Sequence, residues 1–239
     1  VYTGTAKWQE CLTQCQEIVA SGKYQLETSL RAPFVTNNQN SPEIVFAIPF
    51  DEYLAGGFNV EMFSWHASLK NKFNMLDTPW GAGSAKGVPQ FINTYDPADG
   101  RLAATWMMGP QFAADGVTPL KGSYDQAGKD IVLTKEIPDG LYTGEAEGYR
   151  MNKFEVKNGA LASLSTDFPF FRYSQVLMMQ AECLLRTGKG ADAATIVSQI
   201  RSRAFTSAPA KATVTGADLE KNSSYQYGYV ENYKVVDPG

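Results

Sequence analysis

The chain has 239 residues, of which 44% are hydrophobic and 19% charged. This composition is typical of a folded globular protein and excludes an intrinsically disordered one. The net charge is −4, and no stretch is strongly basic. Nucleic acid is therefore excluded as a partner, because binding to phosphates needs clustered lysine and arginine. No apolar run in the sequence is long enough to span a bilayer.

Residues 5–21 predict an amphipathic helix near the start of the chain. Its apolar positions recur at helical spacing and are Trp8, Cys11, Leu12, Cys15, Ile18 and Val19. We expect Trp8 in the core, and Cys11 and Cys15 buried as small hydrophobic side chains. The only histidine is His66, so the three cysteines lack the partners of a metal-binding motif.

The centre of the chain predicts short strands within an irregular insertion. Residues 43–50 carry an apolar run between two prolines, which predicts a buried strand. Residues 51–100 are rich in Gly, Asn and aromatic residues without a periodic pattern, and a loop this long in a compact domain is usually functional. Residues 131–137 and 149–156 predict two further strands.

No segment fits a catalytic or metal-binding motif. Residues 81–87 lack the spacing and context of a phosphate loop. Residues 96–100 predict a turn in which Asp99 pairs with Arg101, because the alternating oxygen ligands of a calcium loop are missing. The acidic residues show no spacing that marks a glycosidase pair. We therefore expect no enzyme activity, no cofactor and no metal site, while a calcium ion held by scattered carboxylates stays open.

Aromatic residues in the irregular region are the best candidates for a binding site. Trp80 lies between a proline and a glycine, so few neighbours can bury it and we expect its ring to be exposed. Such a ring can stack on the apolar face of a pyranose while polar neighbours bind its hydroxyls. The candidate substrate-binding residues are Trp80, Trp65, His66 and Tyr95.

Residues 168–205 predict a helix, a glycine turn and a second helix. The first helix is apolar on most sides, and Gly188 and Gly190 supply the turn. The pair has the length and small-residue spacing of a tetratricopeptide unit, although the pattern alone also fits an ordinary helical hairpin. One such unit cannot bury its own faces, so we expect burial against helices outside this chain. The residues concerned are Met179, Leu184, Val197 and Ile200.

The residue order in this hairpin, FRYSQVLMMQAECLLRTGKGADAATIVSQIRSRAF, resembles the signature of the SusD/RagB family. The matching positions are Phe171, Arg172, Tyr173, Val176, Leu177, Ala181, Glu182, Gly188, Ala193, Ile200, Arg201, Arg203 and Ala204. We expect Arg172 and Arg201 to form ion pairs or to bind carbonyl groups, and not to contact a ligand. Residues 1–26, 41–51 and 91–101 resemble three further stretches of the family, in the same order.

The resemblance implies a mainly α-helical, SusD-like fold, with tetratricopeptide-like hairpins and an irregular insertion of loops and short strands. Residues 1–239 would form part of a single domain of a longer protein, with portions missing at both ends. Within it, residues 43–165 would form the ligand-face insertion and residues 168–205 the helical hairpin.

The resemblance also implies a surface-exposed lipoprotein of the outer membrane. Such a protein captures oligosaccharides and passes them to a SusC-like TonB-dependent transporter, and a lipid anchor absent from this chain provides its membrane association. Two alternatives stay open: a receptor of the same fold that captures peptides, and a glycan-degrading enzyme. The identity of the glycan does not follow from the sequence, because one fold presents different sites through its loops.

Overall fold

The computed structural model describes residues 4–54, 57–81, 84–137, 144–226, 228–231 and 234–237. The α-helices are α1 (Trp8–Ala20), α2 (Pro89–Ile92), α3 (Gly100–Thr105), α4 (Tyr173–Arg186), α5 (Gly190–Ser202) and α6 (Gly216–Leu219). The strands are β1 (Ile44–Ile48), β2 (Trp106–Met107), β3 (Gly109–Pro110), β4 (Val132–Leu133), β5 (Arg150–Met151), β6 (Phe168–Arg172), β7 (Tyr229–Glu231) and β8 (Lys234–Asp237). They form two-stranded antiparallel sheets, β1 with β6, β2 with β5, β3 with β4, and β7 with β8. Among the described residues, no helix is both long and apolar enough to cross a membrane.

The three longest helices, α1, α4 and α5, pack together. Their shared core contains Leu12, Ala181, Cys183, Leu184 and Ala193. Gly188 adopts a φ of +79° in the turn between α4 and α5, a conformation that glycine adopts without steric cost. The predicted helices are therefore present, and the fully buried Ala193 lets α5 approach α4 closely.

The burial predicted for the hairpin is only partly right. Leu184 is buried, but its partners are α1 and α5 of this chain, since the helix at residues 8–20 covers it. Val197 and Ile200 are half-buried, and Met179 is exposed. Trp8 is also more exposed than predicted, because its ring lies at the surface with the Arg186 guanidinium 5.4 Å from the ring centroid.

The strand predicted at residues 43–50 exists as β1, but it is not buried. Among the described strands it pairs with β6 alone, and Phe46 is 55% exposed. No periodic pattern in the sequence marked β6, which runs directly into α4. The strands predicted at residues 131–137 and 149–156 are shorter than expected, because only the two-residue strands β4 and β5 are present there.

The residues between α1 and α4 have a separate core, built from side chains of loops and short strands. Phe58 and Phe154 lie at its centre, with ring centroids 4.4 Å apart. The buried members are Phe34, Phe58, Met62, Trp65, Leu69, Met75, Met107, Leu120, Ile131, Leu133, Phe154, Val156, Ala160, Ala162 and Leu164. Side-chain packing therefore stabilises a region in which regular secondary structure is sparse.

A buried ion cluster joins the β1–β6 pair to the helices. The Glu43 carboxylate is fully buried and accepts hydrogen bonds from Arg172 Nη1 at 2.9 Å and from Arg203 Nη1 at 2.5 Å. It also accepts a hydrogen bond from the backbone N–H of Glu27 at 3.0 Å. The structural role predicted for Arg172 is therefore confirmed.

Arg201 binds backbone carbonyl groups, as predicted. Its Nη2 donates to the carbonyl of Lys211 at 2.7 Å, and its Nε donates to the carbonyl of Ala212 at 3.1 Å. The end of α5 is thereby fixed to the 310 turn Pro209–Ala212.

Replacing Leu184 with alanine should lower the free energy of unfolding by about 2–5 kcal/mol, the range for truncating a buried leucine. The matched control is Leu54→Ala, because Leu54 is 89% exposed and its side chain contributes little to packing. Urea denaturation of both variants measures the two effects. Equal, small losses would contradict the placement of Leu184 in the core.

Glu43→Gln should destabilise the protein by about 3–5 kcal/mol at pH 7, because it leaves the largely buried Arg172 and Arg203 side chains, 20% and 13% exposed, without this counter-charge. Burial raises the pKa of Glu43, but hydrogen bonds from Arg203 and the Glu27 N–H outweigh it, so the net pKa lies below its usual value. The stabilisation is therefore complete above the unfolded-state pKa and is lost as the pH falls through the lower folded-state pKa. Denaturation between pH 7 and pH 3 tests this, with Glu10→Gln as the exposed control. A wild-type acid dependence that survives in Glu43→Gln would contradict the assignment.

A second buried carboxylate, Glu61, should give the opposite pH dependence. Burial raises its pKa to about 7, although the backbone N–H of Phe154 donates to Oε1 at 2.6 Å. Its contribution to stability is complete below the usual value near 4.5 and is lost as the pH rises towards 7. The stability of Glu61→Gln relative to the wild-type protein should therefore rise by about 1–3 kcal/mol across this window. A pH-independent difference in unfolding free energy would rule this out.

Candidate functional site

Trp80 and Phe63 form an exposed aromatic pair. Their ring centroids lie 4.8 Å apart, with the planes at 79°, so the edge of one ring meets the face of the other. Trp80 is 51% exposed and Phe63 is 48% exposed. The exposure expected for Trp80 is therefore present, and the pair offers apolar surface of the kind on which a sugar ring can stack.

The backbone around this pair is held by hydrogen bonds. The N–H of Ala85 and the Oγ of Ser84 both donate to the carbonyl of Phe63, each at 3.0 Å. Ser64 Oγ donates in return to the carbonyl of Ala85 at 2.6 Å. Gly81 packs so closely that a Cβ there would lie 2.0 Å from the Met62 carbonyl oxygen. The glycine after Trp80 is thus needed for this close approach of the two segments.

Trp65 does not belong to this surface, and the expectation that it stacks on a ligand needs correction. Its ring is fully buried and lies parallel to that of Phe73, with centroids 5.1 Å apart. Its Nε1 donates to the carbonyl of Met151 at 2.6 Å. The indole therefore anchors the core of the insertion, and Phe63, two residues earlier, has the exposed position instead.

His66 is buried beside a carboxylate. Its Nδ1 lies 3.0 Å from Glu145 Oε1, while the other carboxylate oxygen accepts a hydrogen bond from the Ser123 N–H at 2.7 Å. The backbone carbonyl of Glu145 accepts a hydrogen bond from Arg150 Nη2 at 2.6 Å. The exposed ring of Tyr124 lies edge-to-face with the His66 ring, with centroids 5.6 Å apart. His66 is 8% exposed, so it offers a ligand little surface.

Tyr95 belongs to a second aromatic group with Phe91 and Trp106. The centroid of Phe91 lies 5.6 Å from that of Tyr95 and 6.5 Å from that of Trp106. The indole Nε1 of Trp106 donates to the Tyr95 hydroxyl at 3.4 Å. Tyr95 and Trp106 are half-buried and Phe91 is exposed, and all three line a cavity of about 970 Å³.

The four predicted site residues lie in different environments and do not form one site. Several exposed aromatic residues that the sequence analysis did not select lie beside them. Phe63, Tyr124 and Phe91 all expose aromatic rings beside predicted residues. No periodic pattern marks them, and Tyr124 is exposed on a backbone with a φ of +44°, which is unusual for a residue other than glycine. A contiguous set of substrate-binding residues is therefore not readable from the sequence.

The turn predicted at residues 96–100 is present. The Asp99 N–H donates to the Asp96 carbonyl at 2.8 Å, and Asp99 accepts hydrogen bonds from both the backbone and the guanidinium of Arg101. Within the described residues, no group of three or more His, Cys, Asp or Glu side chains is arranged to hold a metal ion.

Comparison with known proteins identifies the family. A model of the SusD family matches residues 20–232. A SusD superfamily protein from Parabacteroides distasonis is similar in structure, with a TM-score of 0.58 and 20% identity over 82% of this chain and 38% of its own. Surface glycan-binding protein A from Bacteroides thetaiotaomicron in complex with laminarihexaose has a TM-score of 0.58 and 17% identity over 83% of this chain and 43% of its own. NanU from B. fragilis has a TM-score of 0.57 and 18% identity over 99% of this chain and 46% of its own. No curated protein matches the sequence.

The chain thus spans less than half the length of these solved structures. The similarity in structure covers most of the chain, and the family model covers both the insertion and the helical hairpin. The fold is SusD-like, and the chain belongs to the SusD family.

Proposed function

We propose that this protein binds oligosaccharides at the bacterial cell surface, with the Trp80–Phe63 pair as the principal stacking surface. The observation that carries the proposal is the exposure of two aromatic rings on a backbone that hydrogen bonds and a close glycine contact hold in place. A ring held in this way loses little conformational freedom on binding, which favours affinity.

The family membership supports this proposal. Structures with the same fold include surface glycan-binding proteins from two Bacteroides species, one of them bound to laminarihexaose. We propose that the whole protein is a surface-exposed lipoprotein that passes its ligand to a SusC-like TonB-dependent transporter. We also propose that α4 and α5 are one tetratricopeptide-like unit of a longer helical array.

We further propose that binding takes place without bond cleavage. The pairing of Asp99 with Arg101 and of Glu43 with Arg172 and Arg203 engages prominent carboxylates in structural contacts. Glu145 accepts hydrogen bonds from Ser123 beside His66, which also serves local structure. Oligosaccharides recovered intact after incubation would support a binding role, whereas shortened products would favour a hydrolase.

The proposal predicts that Trp80→Ala weakens oligosaccharide binding by about tenfold, because it removes a stacked ring and its buried area. A glycan array first selects an oligosaccharide, with laminarihexaose included, and calorimetry then measures its affinity for the wild-type protein and the variant. We expect dissociation constants in roughly the micromolar to millimolar range for binding by one or two rings.

The matched control is Trp8→Ala, because Trp8 is also an exposed tryptophan but lies on α1, outside the segment that carries Trp80 and Phe63. Its removal should leave the affinity unchanged. An equal affinity for wild-type protein and Trp80→Ala would remove Trp80 from the site. Binding to a peptide library but to no glycan would favour the peptide-capturing alternative.

A further inference from the structure

A groove beside Phe73, the ring that stacks on Trp65, contains none of the predicted site residues. It encloses about 660 Å³, a volume in the range of small-molecule sites. Its walls come from three separate segments, and the residues that line it are Lys72, Phe73, Asn74, Ala113, Ala114, Asp115 and Asn158. Such a mixture of amides, one cation and one aromatic ring differs from the largely aromatic Trp80 surface.

Backbone hydrogen bonds fix the walls of the groove to one another. The Ala114 N–H donates to the Asn71 carbonyl at 3.0 Å, and the Gly159 N–H donates to the Phe73 carbonyl at 2.7 Å. Asn74 has a φ of +46°, which turns the chain sharply beside Phe73. The three segments therefore form a preformed cleft, as is usual for small-molecule sites.

Two amide side chains meet across the groove. Asn74 Nδ2 donates to Asn158 Oδ1 at 2.9 Å. This pairing leaves one amide oxygen and one amide N–H₂ group without a partner among the described residues, whichever way the pair is oriented. An acceptor and a donor side by side match two neighbouring hydroxyl groups of a sugar, each of which both donates and accepts.

Lys72 brings a cation that lacks a counter-charge. Its side chain is half-buried, and burial lowers its pKa below the usual value. It forms no ion pair or hydrogen bond with any residue in the described ranges, and its Nζ lies 5.9 Å from the centroid of Phe73. An anionic group in the groove would therefore gain a charge-assisted hydrogen bond from Lys72.

Phe73 and Asp115 complete the lining of the groove. Phe73 is backed by the parallel ring of Trp65 and so has a fixed position. The Asp115 carboxylate accepts hydrogen bonds from the N–H groups of Val117 and Thr118 and from the Thr118 hydroxyl, which hold it within its own loop. Its negative charge acts against an anionic ligand, so attraction of such a ligand depends on Lys72.

We propose that this groove is a second saccharide site, selective for a sugar that carries a carboxylate, such as a hexuronic acid. Lys72 binds the carboxylate, and Asn74 and Asn158 bind neighbouring hydroxyls. The inference deepens the proposed function and rests on it, since it adds the substrate class that a separate site on the same protein would take.

The test uses digalacturonic acid and its neutral counterpart galactobiose, in which a hydroxymethyl group replaces each carboxylate. Calorimetry on the wild-type protein should show tighter binding of the acid, with an affinity that falls as salt rises. Lys72→Met should weaken binding of the acid by about tenfold and remove its advantage over galactobiose. Asn158→Ala should weaken binding of both disaccharides, because it breaks the amide pair.

Trp80→Ala is the control that separates the two sites, and it should leave the affinity for digalacturonic acid unchanged. Melting temperatures of all variants establish that they are folded. No binding of the acid by the wild-type protein, or equal affinity in Lys72→Met and Asn158→Ala, would overturn this inference and leave the Trp80 proposal standing. Loss of digalacturonate binding in Trp80→Ala alone would assign the acid to the first surface.

Discussion

The buried carboxylate of Glu43 is the contact on which the arrangement of the two cores depends. It receives hydrogen bonds from Arg172 at the start of α4, from Arg203 just after α5, and from the backbone of Glu27. The Tyr173 N–H also donates to the Glu43 carbonyl at 2.7 Å. Four segments distant in sequence thus meet at one carboxylate, and removal of that carboxylate would leave both arginines without this counter-charge.

The second constraint is the buried Trp65, which supports binding surfaces that it does not itself form. Its ring backs Phe73 on one side, and its indole N–H fixes the backbone at Met151. Phe63 reaches solvent beside Trp80 from the same short segment. Aromatic residues close in sequence therefore divide between structural anchoring and exposure. This division provides rigid surfaces in a region with few strands and helices.

This arrangement fits a family in which one fold serves different ligands. The helices and the ion cluster hold the insertion, and the candidate contact residues lie on irregular segments of it, where sequence changes disturb the core least. The two proposed surfaces differ in chemistry, since one is aromatic and the other combines amides with a cation. A protein with both could bind a glycan at more than one point, which strengthens attachment to a long polymer.

The sequence by itself determined α1, α4 and α5, the turn at Asp99 and the family, because helical periodicity, turn residues and ordered motifs are local signals. The structural roles of Arg172 and Arg201 also followed from the family motif. Only the tertiary structure decided that Trp65 is buried while Phe63 is exposed, that β1 is half-exposed, and that Asn74 meets Asn158. These outcomes depend on contacts between segments far apart in the chain, and in an irregular insertion no periodic pattern tells one face from the other.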